Sequence, residues 1–499
     1  MKYEFDYDSS AVGRCLLCHR AECTKACPYG VPVARVLRSL YFDNFLGAAS
    51  LLNDAPCAHC DAPCERSCVL ASDKAPVSIR EIFEHFQTAG ADLPEHRIED
   101  VDLSCSLCGV TLENPFIIAS STASSSYDMC RRAFEEGWAG VSFKTICSFP
   151  QHEASPRFSA IKGHGNAFLG FKNIEQLSDH GVQENMEDIR RLHEDYPNKV
   201  IISSIMGRNL DEWAQLAEES ERAGAAVVEL NFSCPNMEDD GLGITIGQSE
   251  ELVERFTSAV RKATSLPVLA KLTPNIADMV PIALAARRGG ADGIAAINTI
   301  NSITGVDLDT LVAEPAVRGK SIVGGYSGNA VKPIALRFIS DLSRAEGLEG
   351  MHLSGIGGVQ TWRDALEFIL LGAGSVQVTT AVMEYGYRII NDLVQGLEEF
   401  LQCRGVASVS ELVGAASKTV VDHQDIERDT LLLPVVRADR CNGCGRCYLS
   451  CRDGGHQAIA FDEKNRLPKI DARKCVGCHL CRLVCPTSAI GVAPKAIHR

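Results

Sequence analysis

Short apolar runs alternate with longer amphipathic segments between about residue 100 and residue 400. The runs are rich in Val and Ile, which is typical of strands buried on both faces of a parallel sheet. The segments between them, such as LDEWAQLAEESERAGA, have apolar residues at helical spacing. The runs are NPFIIAS (114–120), GVSFKTI (140–146), VIISSIM (200–206), VVELNFS (227–233), PVLAKLT (267–273), GIAAINT (293–299), MHLSGIG (351–357) and SVQVTTA (375–381). Strands of this number, joined by crossover helices, predict an α/β fold of the (β/α)8 TIM barrel type.

Two connections are longer than a single crossover helix requires. They are residues 147–199 and 300–350, each between consecutive apolar runs. We expect them to contain additional loops or small strands.

Polar residues follow the predicted strands, where the chemistry of a barrel is located. These residues are Lys144, Asn209, Asn231, Cys234, Lys271, Asn298 and Thr299. Gly-rich turns also follow the last two runs, at 355–358 and 372–374. Backbone N–H groups free of side-chain bulk can cradle a phosphate, and the seventh and eighth strands are the usual barrel position for one. The sequence therefore predicts a site for a phosphorylated cofactor.

Cysteines near the C-terminus form two Cys-x2-Cys-x2-Cys-x3-Cys blocks. This spacing binds two [4Fe–4S] clusters, because three close thiolates surround one cluster while the fourth crosses to the other. Structural zinc is the alternative, but its Cys-x2-Cys pairs lack the third and fourth cysteines at this spacing. We assign Cys441, Cys444, Cys447 and Cys485 to one cluster, and Cys475, Cys478, Cys481 and Cys451 to the other.

A second cysteine-rich region opens the chain and predicts two more clusters. Its cysteines are Cys15, Cys18, Cys23, Cys27, Cys57, Cys60, Cys64 and Cys68. The segment VARVLRSLYFDNFLGAASLLN between the two groups has helical apolar spacing, so we expect the cysteines on loops between helices. Clusters beside a phosphate site favour FMN, which has one phosphate and exchanges hydride pairs for single electrons. The predicted cofactors are FMN and four [4Fe–4S] clusters.

Composition narrows the class of protein. The chain has 499 residues, 45% of them hydrophobic, which is enough for more than one core. Its 22 cysteines and its polar, acidic start predict a reducing compartment, the cytoplasm, rather than disulfides. No apolar run approaches the ~18 residues of a membrane helix, so we expect no membrane partner. The net charge of −15 argues against nucleic acid, although an acidic surface can dock a basic redox protein.

The N-terminal region resembles the cluster domain shared by dihydropyrimidine dehydrogenase and the small subunit of glutamate synthase. The resemblance extends from CLLCHRAECTKACP through CDAPCERSCVL to APVSIREI. It implies one cluster on Cys15, Cys18, Cys23 and Cys68, and a second on Cys27, Cys60 and Cys64. The family's polar fourth ligand falls at Phe83, which cannot bind iron, so we infer that Cys57 replaces it. The alternative is that Cys57 is an ordinary buried thiol.

The barrel also resembles dihydropyrimidine dehydrogenase, in the part that binds FMN and pyrimidine. The similar segments are ELNFSCPNMEDDGLGITIGQ, NPFIIASS, GWAGVSFKTI, SIMGRNLDEW, LAKLTPN, INTINS, YSGNAVKP and SGIGGVQTWRDA. The resemblance is especially close to the bacterial subunit that ends in a two-cluster ferredoxin module, and it covers essentially the whole chain. It implies an N-terminal α-helical Fe–S domain (1–98), the FMN barrel (99–405), and a linker with a C-terminal ferredoxin-like domain (406–499).

The resemblance also implies roles for single residues. Those expected to contact FMN are Ala119, Ser120, Lys144, Lys271, Ser327, Gly328, Gly357, Gly358, Thr379 and Thr380. Those expected to hold the pyrimidine are Asn209, Asn231, Asn298 and Thr299, whose amides and hydroxyl offer the donors and acceptors that a uracil edge needs.

Cys234 is the predicted general acid. Reduction of the 5,6-double bond needs a hydride on one carbon and a proton on the next. A thiol with an ordinary pKa of about 8.5 can donate that proton. The alternative is a buried strand-end thiol, as we expect for Cys147. The following loop, MEDDGLG, is expected to close over the substrate.

Electrons are expected to come from another protein. The sequence has no G-x-G-x-x-G after a strand and no room for a dinucleotide domain between the cluster domain and the barrel. The predicted donor is a ferredoxin or an NAD(P)H-oxidising flavoprotein subunit, in a homodimer or heteromer. The function predicted is reduction of uracil or thymine, or the reverse. Two alternatives remain: a dihydroorotate dehydrogenase-like oxidoreductase, and an electron-transfer subunit of a larger complex.

Overall fold

The structure is a computed structural model, which describes residues 9–72, 75–89, 98–149, 152–163, 167–234, 243–493 and 497–498. The chain divides into two compact units, Met1–Thr419 and Val420–Arg499. The first unit contains the N-terminal cysteines and the central apolar runs. The second contains the C-terminal cysteines.

Eight parallel strands close into a barrel in the first unit, which confirms the predicted fold. In chain order, strands 1 to 8 are Phe116–Ile118, Gly140–Ser142, Val200–Ile205, Val227–Asn231, Val268–Lys271, Gly293–Ala296, His352–Ile356 and Ser375–Val378. Strand 8 closes the barrel on strand 1, with Val376 opposite Phe116. Each strand lies inside one of the eight apolar runs, because its residues are buried on both faces.

A helix follows each barrel strand and covers it from outside. The helices are Tyr127–Glu136, Val182–Asp195, Leu210–Arg222, Glu250–Ala263, Val280–Arg288, Lys332–Arg344, Trp362–Leu370 and Ile390–Arg404. Several begin at a capping side chain that accepts a backbone N–H bond, including Ser126, Asn209, Ser249 and Thr361. Throughout the described ranges, every helix falls short of the length and apolar character that a bilayer crossing requires.

The two long connections contain small strands, as expected. Strands Ile300–Ser302, Gly324–Ser327, Phe168–Asn173 and Phe158–Lys162 form an antiparallel sheet in that order. A short hairpin pairs Val306–Asp307 with Val312–Ala313. The sheet joins segments about 150 residues apart, since Asn173 pairs with Gly325.

A hairpin of Cys105–Leu107 and Val110–Leu112 packs at the amino ends of the barrel strands.

Residues 406–419 are part of the linker predicted from the sequence. In the structure they belong to the barrel unit. Backbone bonds hold them there, because Val409 N–H donates to the Asp102 carbonyl (2.9 Å) and Ala416 N–H to that of Leu370 (2.8 Å).

The N-terminal region is helical, as predicted. Its helices are Ser9–Val12, Glu22–Lys25, Val33–Tyr41, Phe45–Leu52, Pro63–Arg66 and Ile79–Ala89. Val36, Leu37, Ile82 and Phe83 are buried in its small core. The apolar segment between the cysteine groups forms two helices rather than one, because Asn44 caps the second by accepting a bond from Gly47 N–H.

Asp392 joins this region to the barrel. It lies in the last barrel helix and is 2% exposed. Its Oδ2 accepts a bond from Arg38 Nε (2.7 Å), and its Oδ1 accepts bonds from Ser39 Oγ (2.7 Å) and Asn44 Nδ2 (3.2 Å). One buried carboxylate therefore satisfies three donors of the N-terminal helices.

Replacing Asp392 with Ala should destabilise the protein by about 3–5 kcal/mol, because it leaves a largely buried cation and two donors without their acceptor. Urea unfolding followed by circular dichroism measures the change. Asp341→Ala is the control, since Asp341 forms a more exposed ion pair with Arg337 (2.6 Å) and should shift stability by no more than about 1 kcal/mol. Equal effects of the two variants would contradict the role of Asp392.

The second unit is a small α+β fold. Its paired strands are Thr430–Leu431 with Ile497–His498, Pro434–Val436 with Ile490–Val492, and Ile459–Asp462 with Leu467–Ile470. Its helices are Arg446–Gly454 and Leu480–Leu483. Its core contains Cys447, Ile459, Cys481 and Ile490, so two of the predicted ligands lie in the interior.

Candidate active site and cluster cavities

A cavity opens at the carboxyl ends of the barrel strands. It brings together most of the predicted site residues, because each lies at or just after the end of a strand. The predicted residues that line it are Ala119, Ser120, Lys144, Asn231, Cys234, Lys271, Asn298, Thr299, Ser327, Gly328, Gly357, Gly358, Thr379 and Thr380.

Asn209 is not among the residues that line this cavity. It is the capping residue of helix Leu210–Arg222, and its Oδ1 accepts a bond from Glu212 N–H (3.0 Å). Its amide nitrogen lies 3.3 Å from Glu212 Oε1. The side chain is thus engaged at the start of its own helix.

A different amide, that of Asn173, lines the cavity. It ends the strand Phe168–Asn173 of the small sheet, and the sequence analysis did not identify it. Glu175 and Gln176, which follow it, also line the cavity. The available signal was a largely polar stretch, KNIEQ, directly after the apolar FLGF.

Hydrogen bonds fix the orientation of the central amides. Asn298 Nδ2 donates to Ser233 Oγ (2.8 Å), and Ser233 Oγ donates to Asn231 Oδ1 (3.0 Å). Asn231 Nδ2 in turn donates to Thr145 Oγ1 (2.9 Å). Thr299 N–H donates to Asn298 Oδ1 (2.7 Å). This chain of bonds spans strands 2, 4 and 6 and holds the polar groups in one arrangement.

Each cavity lysine lies beside a buried carboxylate. Lys144 Nζ is 3.4 Å from Glu175 Oε2, and Lys271 Nζ is 3.6 Å from Glu229 Oε1. Glu175 is 7% exposed and Glu229 is fully buried. Glu229 also accepts bonds from Ser142 Oγ (3.1 Å) and Gln377 Nε2 (3.4 Å), so its position is fixed from three strands.

Glycines allow a close approach of the backbone at one end of the cavity. Gly328, Gly357 and Gly358 have φ values of +90°, +129° and +79°, which favour residues without a side chain. A Cβ at Gly358 would lie 2.9 Å from the Gly328 carbonyl oxygen and 2.9 Å from Lys332 N. The start of helix Lys332–Arg344 therefore lies against this turn. Such a cradle suits a phosphate.

Cys234 lines the cavity and is 6% exposed. Its carbonyl accepts a bond from Ile244 N–H (3.2 Å), so the chain returns to the same point after the following loop. The loop MEDDGLG (237–243), for which closure over the substrate was predicted, lies outside the described residues up to its last residue, Gly243. Cys147 is also buried but does not line the cavity, and its thiol donates to the Phe149 carbonyl (3.2 Å).

The N-terminal cysteines surround two further cavities, four to each. One is lined by Cys15, Cys18, Cys23 and Cys68. The other is lined by Cys27, Cys57, Cys60 and Cys64. Phe83 lies in the wall of the second cavity, so Cys57 and Phe83 are brought to the same site.

The C-terminal cysteines form two more such groups. One cavity is lined by Cys441, Cys444, Cys447 and Cys485. The other is lined by Cys451, Cys475, Cys478 and Cys481. Backbone N–H groups already point at two of the sulfurs, since Ala458 N–H donates to Cys451 Sγ and Ala489 N–H to Cys485 Sγ, both at 3.3 Å. The fourth cysteine of each block thus lies with the first three cysteines of the other block, and these are the predicted groups.

Neighbouring cysteines in these groups raise one another's pKa. Burial raises the pKa of Cys15 to about 11, and its neighbours Cys18, Cys23 and Cys68 add to the rise. Burial likewise raises the pKa of Cys481 to about 11, with contributions from three nearby cysteines. Gathered thiolates therefore need positive charge between them, which a metal centre supplies.

Three family models match the chain. Residues 102–401 match dihydroorotate dehydrogenase, residues 3–92 match dihydropyrimidine dehydrogenase domain II with its 4Fe-4S cluster, and residues 434–492 match a 4Fe-4S dicluster domain. The chain thus carries two 4Fe-4S domains, one on each side of the barrel in sequence.

Several characterised proteins are similar over most of their length. Subunit PreA of the NAD-dependent dihydropyrimidine dehydrogenase of Escherichia coli is 52% identical over 389 residues, which cover 78% of this chain and 95% of that subunit. The chloroplastic dihydropyrimidine dehydrogenase (NADP(+)) of Arabidopsis thaliana is 35% identical over 72% of this chain and 86% of its own. The catalytic subunit of dihydroorotate dehydrogenase B (NAD(+)) of Pyrococcus furiosus is 39% identical over 64% of this chain and all of its own.

Proposed function

Because the chain belongs to the dihydropyrimidine dehydrogenase family, we propose that it reduces the 5,6-double bond of uracil or thymine, or catalyses the reverse oxidation. Electrons would reach it from a partner protein through its clusters. The observation that carries the proposal is a single cavity lined by a thiol, two lysines and several amides at the carboxyl ends of the strands. These are the groups that binding and protonating a neutral pyrimidine requires.

FMN suits the cavity. The turn at Gly357 and Gly358 packs closely against the start of helix Lys332–Arg344 and lines the cavity with backbone free of side chains, and Thr379 and Thr380 line the same cavity. Lys144 and Lys271 would lie against the ring, where Lys271 can balance the negative charge of a reduced flavin. Bound FMN would supply the hydride.

The chain's own residues would bind the substrate and supply the proton. Asn231 and Asn298 are held in a fixed orientation, and Thr299 lies beside them, so they can pair with the carbonyl and N–H groups of the pyrimidine. We add Asn173 to this set because its amide lines the cavity, whereas Asn209 caps a helix. Cys234 would donate the proton to the carbon beside the one that accepts the hydride.

Four [4Fe–4S] clusters suit the cysteine cavities. Each cavity offers four thiols, the usual ligand set of such a cluster. Bound clusters would carry single electrons. The donor protein would be a ferredoxin or an NAD(P)H-oxidising flavoprotein subunit, in keeping with the E. coli relative, which is itself a subunit. We propose a homodimer or heteromer.

Turnover with an artificial donor tests the function. Protein purified without oxygen should oxidise reduced methyl viologen when uracil or thymine is added, and dihydropyrimidine should accumulate in proportion. NADH alone should leave the flavin oxidised, since the nicotinamide must be held against a flavin ring for hydride transfer and we expect the partner to provide that site. Absorbance of viologen and flavin measures both. Viologen oxidation that is independent of pyrimidine, or flavin bleaching by NADH, would contradict the proposal.

Replacing Cys57 with Ala should remove one cluster of the four. Iron should fall from about sixteen to about twelve atoms per chain, because an incomplete ligand set no longer retains its cluster. Iron and sulfide analysis after anaerobic reconstitution measures the change. Cys105→Ala is the control, because Cys105 lies in the hairpin at the amino end of the barrel. Unchanged iron in the Cys57 variant would show that another group completes the site.

A further inference from the structure

The cavity is lined by two cations, Lys144 and Lys271, among its described residues. Both are paired with buried carboxylates, but the two carboxylates differ in position. Glu175 lines the cavity itself, whereas Glu229 lies beneath it inside the barrel and is not part of the lining. A substrate in the cavity therefore meets the charge of Glu175 directly.

Glu175 is held by two cations from different segments. Its Oε2 lies 3.4 Å from Lys144 Nζ and its Oε1 lies 3.2 Å from Arg157 Nη1. These contacts hold the carboxylate at the cavity wall beside Lys144. The charge of Lys144, which could attract an anionic substrate, is thus offset by a carboxylate that the protein itself supplies.

We infer that Glu175 determines specificity, by making the cavity accept an uncharged pyrimidine and reject one that carries a ring carboxylate. This inference rests on the proposed function and refines its substrate class. A carboxylate on the substrate would be repelled by Glu175 and would find Lys144 already paired. At separations of several ångströms in a partly buried site, repulsion between two such charges changes affinity by about 10- to 100-fold.

Replacing Glu175 with Gln removes the negative charge and frees both Lys144 and Arg157 from their shared partner. The neighbouring carboxylate of Glu153 offers a matched control. It accepts a bond from Gln176 N–H (2.8 Å) but does not line the cavity. Glu153→Gln therefore removes one charge from the same region without altering the cavity wall.

Equilibrium titration of the oxidised, FMN-loaded protein with uracil and with orotate tests the inference through the flavin absorbance. The ratio of the two dissociation constants should shift toward orotate by about 10- to 100-fold in Glu175→Gln. It should shift by less than about threefold in Glu153→Gln, whose side chain does not line the cavity. Glu175→Met, a neutral side chain of similar length, gives the same comparison if the Gln variant does not retain FMN.

The outcomes separate the two proposals. If uracil binds the unmodified protein, and the ratio of the dissociation constants of uracil and orotate is the same in the Glu175 variants, the specificity role is overturned and the proposed function stands. An equal shift in Glu153→Gln would also overturn it, because the effect would then not depend on the cavity wall. If the unmodified protein binds orotate and not uracil, the proposed function itself fails.

Discussion

Replacing Cys234 with Ala should lower pyrimidine turnover by about 10²–10⁴-fold, the loss expected when a general acid is removed. The thiol lines the cavity with the two lysines and the amides, and the buried position keeps bulk water from taking over its role. FMN content and reduction of the flavin by viologen should be unchanged, because neither needs the proton. Steady-state turnover with reduced viologen and uracil measures the effect.

Two further variants test whether the loss of turnover comes from the loss of the proton donor. Cys147→Ala removes another buried thiol that follows a barrel strand but does not line the cavity, and it should retain near-normal turnover. Cys234→Ser keeps the shape of the side chain but is a much weaker acid, so its turnover should resemble that of the Ala variant. Near-normal turnover in Cys234→Ala with full FMN would remove this residue from the mechanism.

Gly358→Val should abolish retention of FMN. The residue has φ +79°, and an added Cβ would approach the Gly328 carbonyl and Lys332 N to 2.9 Å. Backbone strain and overpacking cost about 1–3 kcal/mol each, so FMN affinity should fall by about 10²-fold or more. Flavin released from the denatured, purified protein measures the occupancy.

Gly350→Val is the control that separates backbone strain from the collision of an added Cβ with neighbouring backbone atoms. Gly350 has a similar φ of +76°, but an added Cβ there would have no neighbour within 4 Å. The control should therefore show the strain alone and keep its FMN. Full occupancy of FMN in Gly358→Val would place the phosphate elsewhere.

The barrel and the cysteine groups could be predicted because their signals are local. Residues buried on both faces of a strand must be apolar, so runs such as VIISSIM identify strands without any knowledge of their neighbours. The cysteine blocks similarly specify ligands over a few residues. The grouping of Cys57 with Cys27, Cys60 and Cys64 depends on the tertiary structure, which brings these four together around one cavity beside Phe83.

Asn173 and Asn209 show which features of the site depend on tertiary structure. Both are amides at the end of an apolar run, and the sequence pointed to Asn209. Asn173 reaches the cavity only because its strand pairs with Gly324–Ser327, about 150 residues later. Asn209 stands directly before a helix, where its amide satisfies a backbone N–H that would otherwise lack a partner.

The charge state of the cavity was also decided by tertiary structure. The sequence identified Lys144 and Lys271 as cations but not the carboxylates that balance them. Glu229 and Lys271 lie on adjacent strands, where the pairing of Asn231 with Lys271 sets their register, and Glu175 follows the strand Phe168–Asn173 of the small sheet. Local patterns thus specify strands, helices and the spacing of the cysteines, whereas the contacts among the charged groups of the cavity depend on strand register and on segments distant in sequence, which only the folded chain brings together.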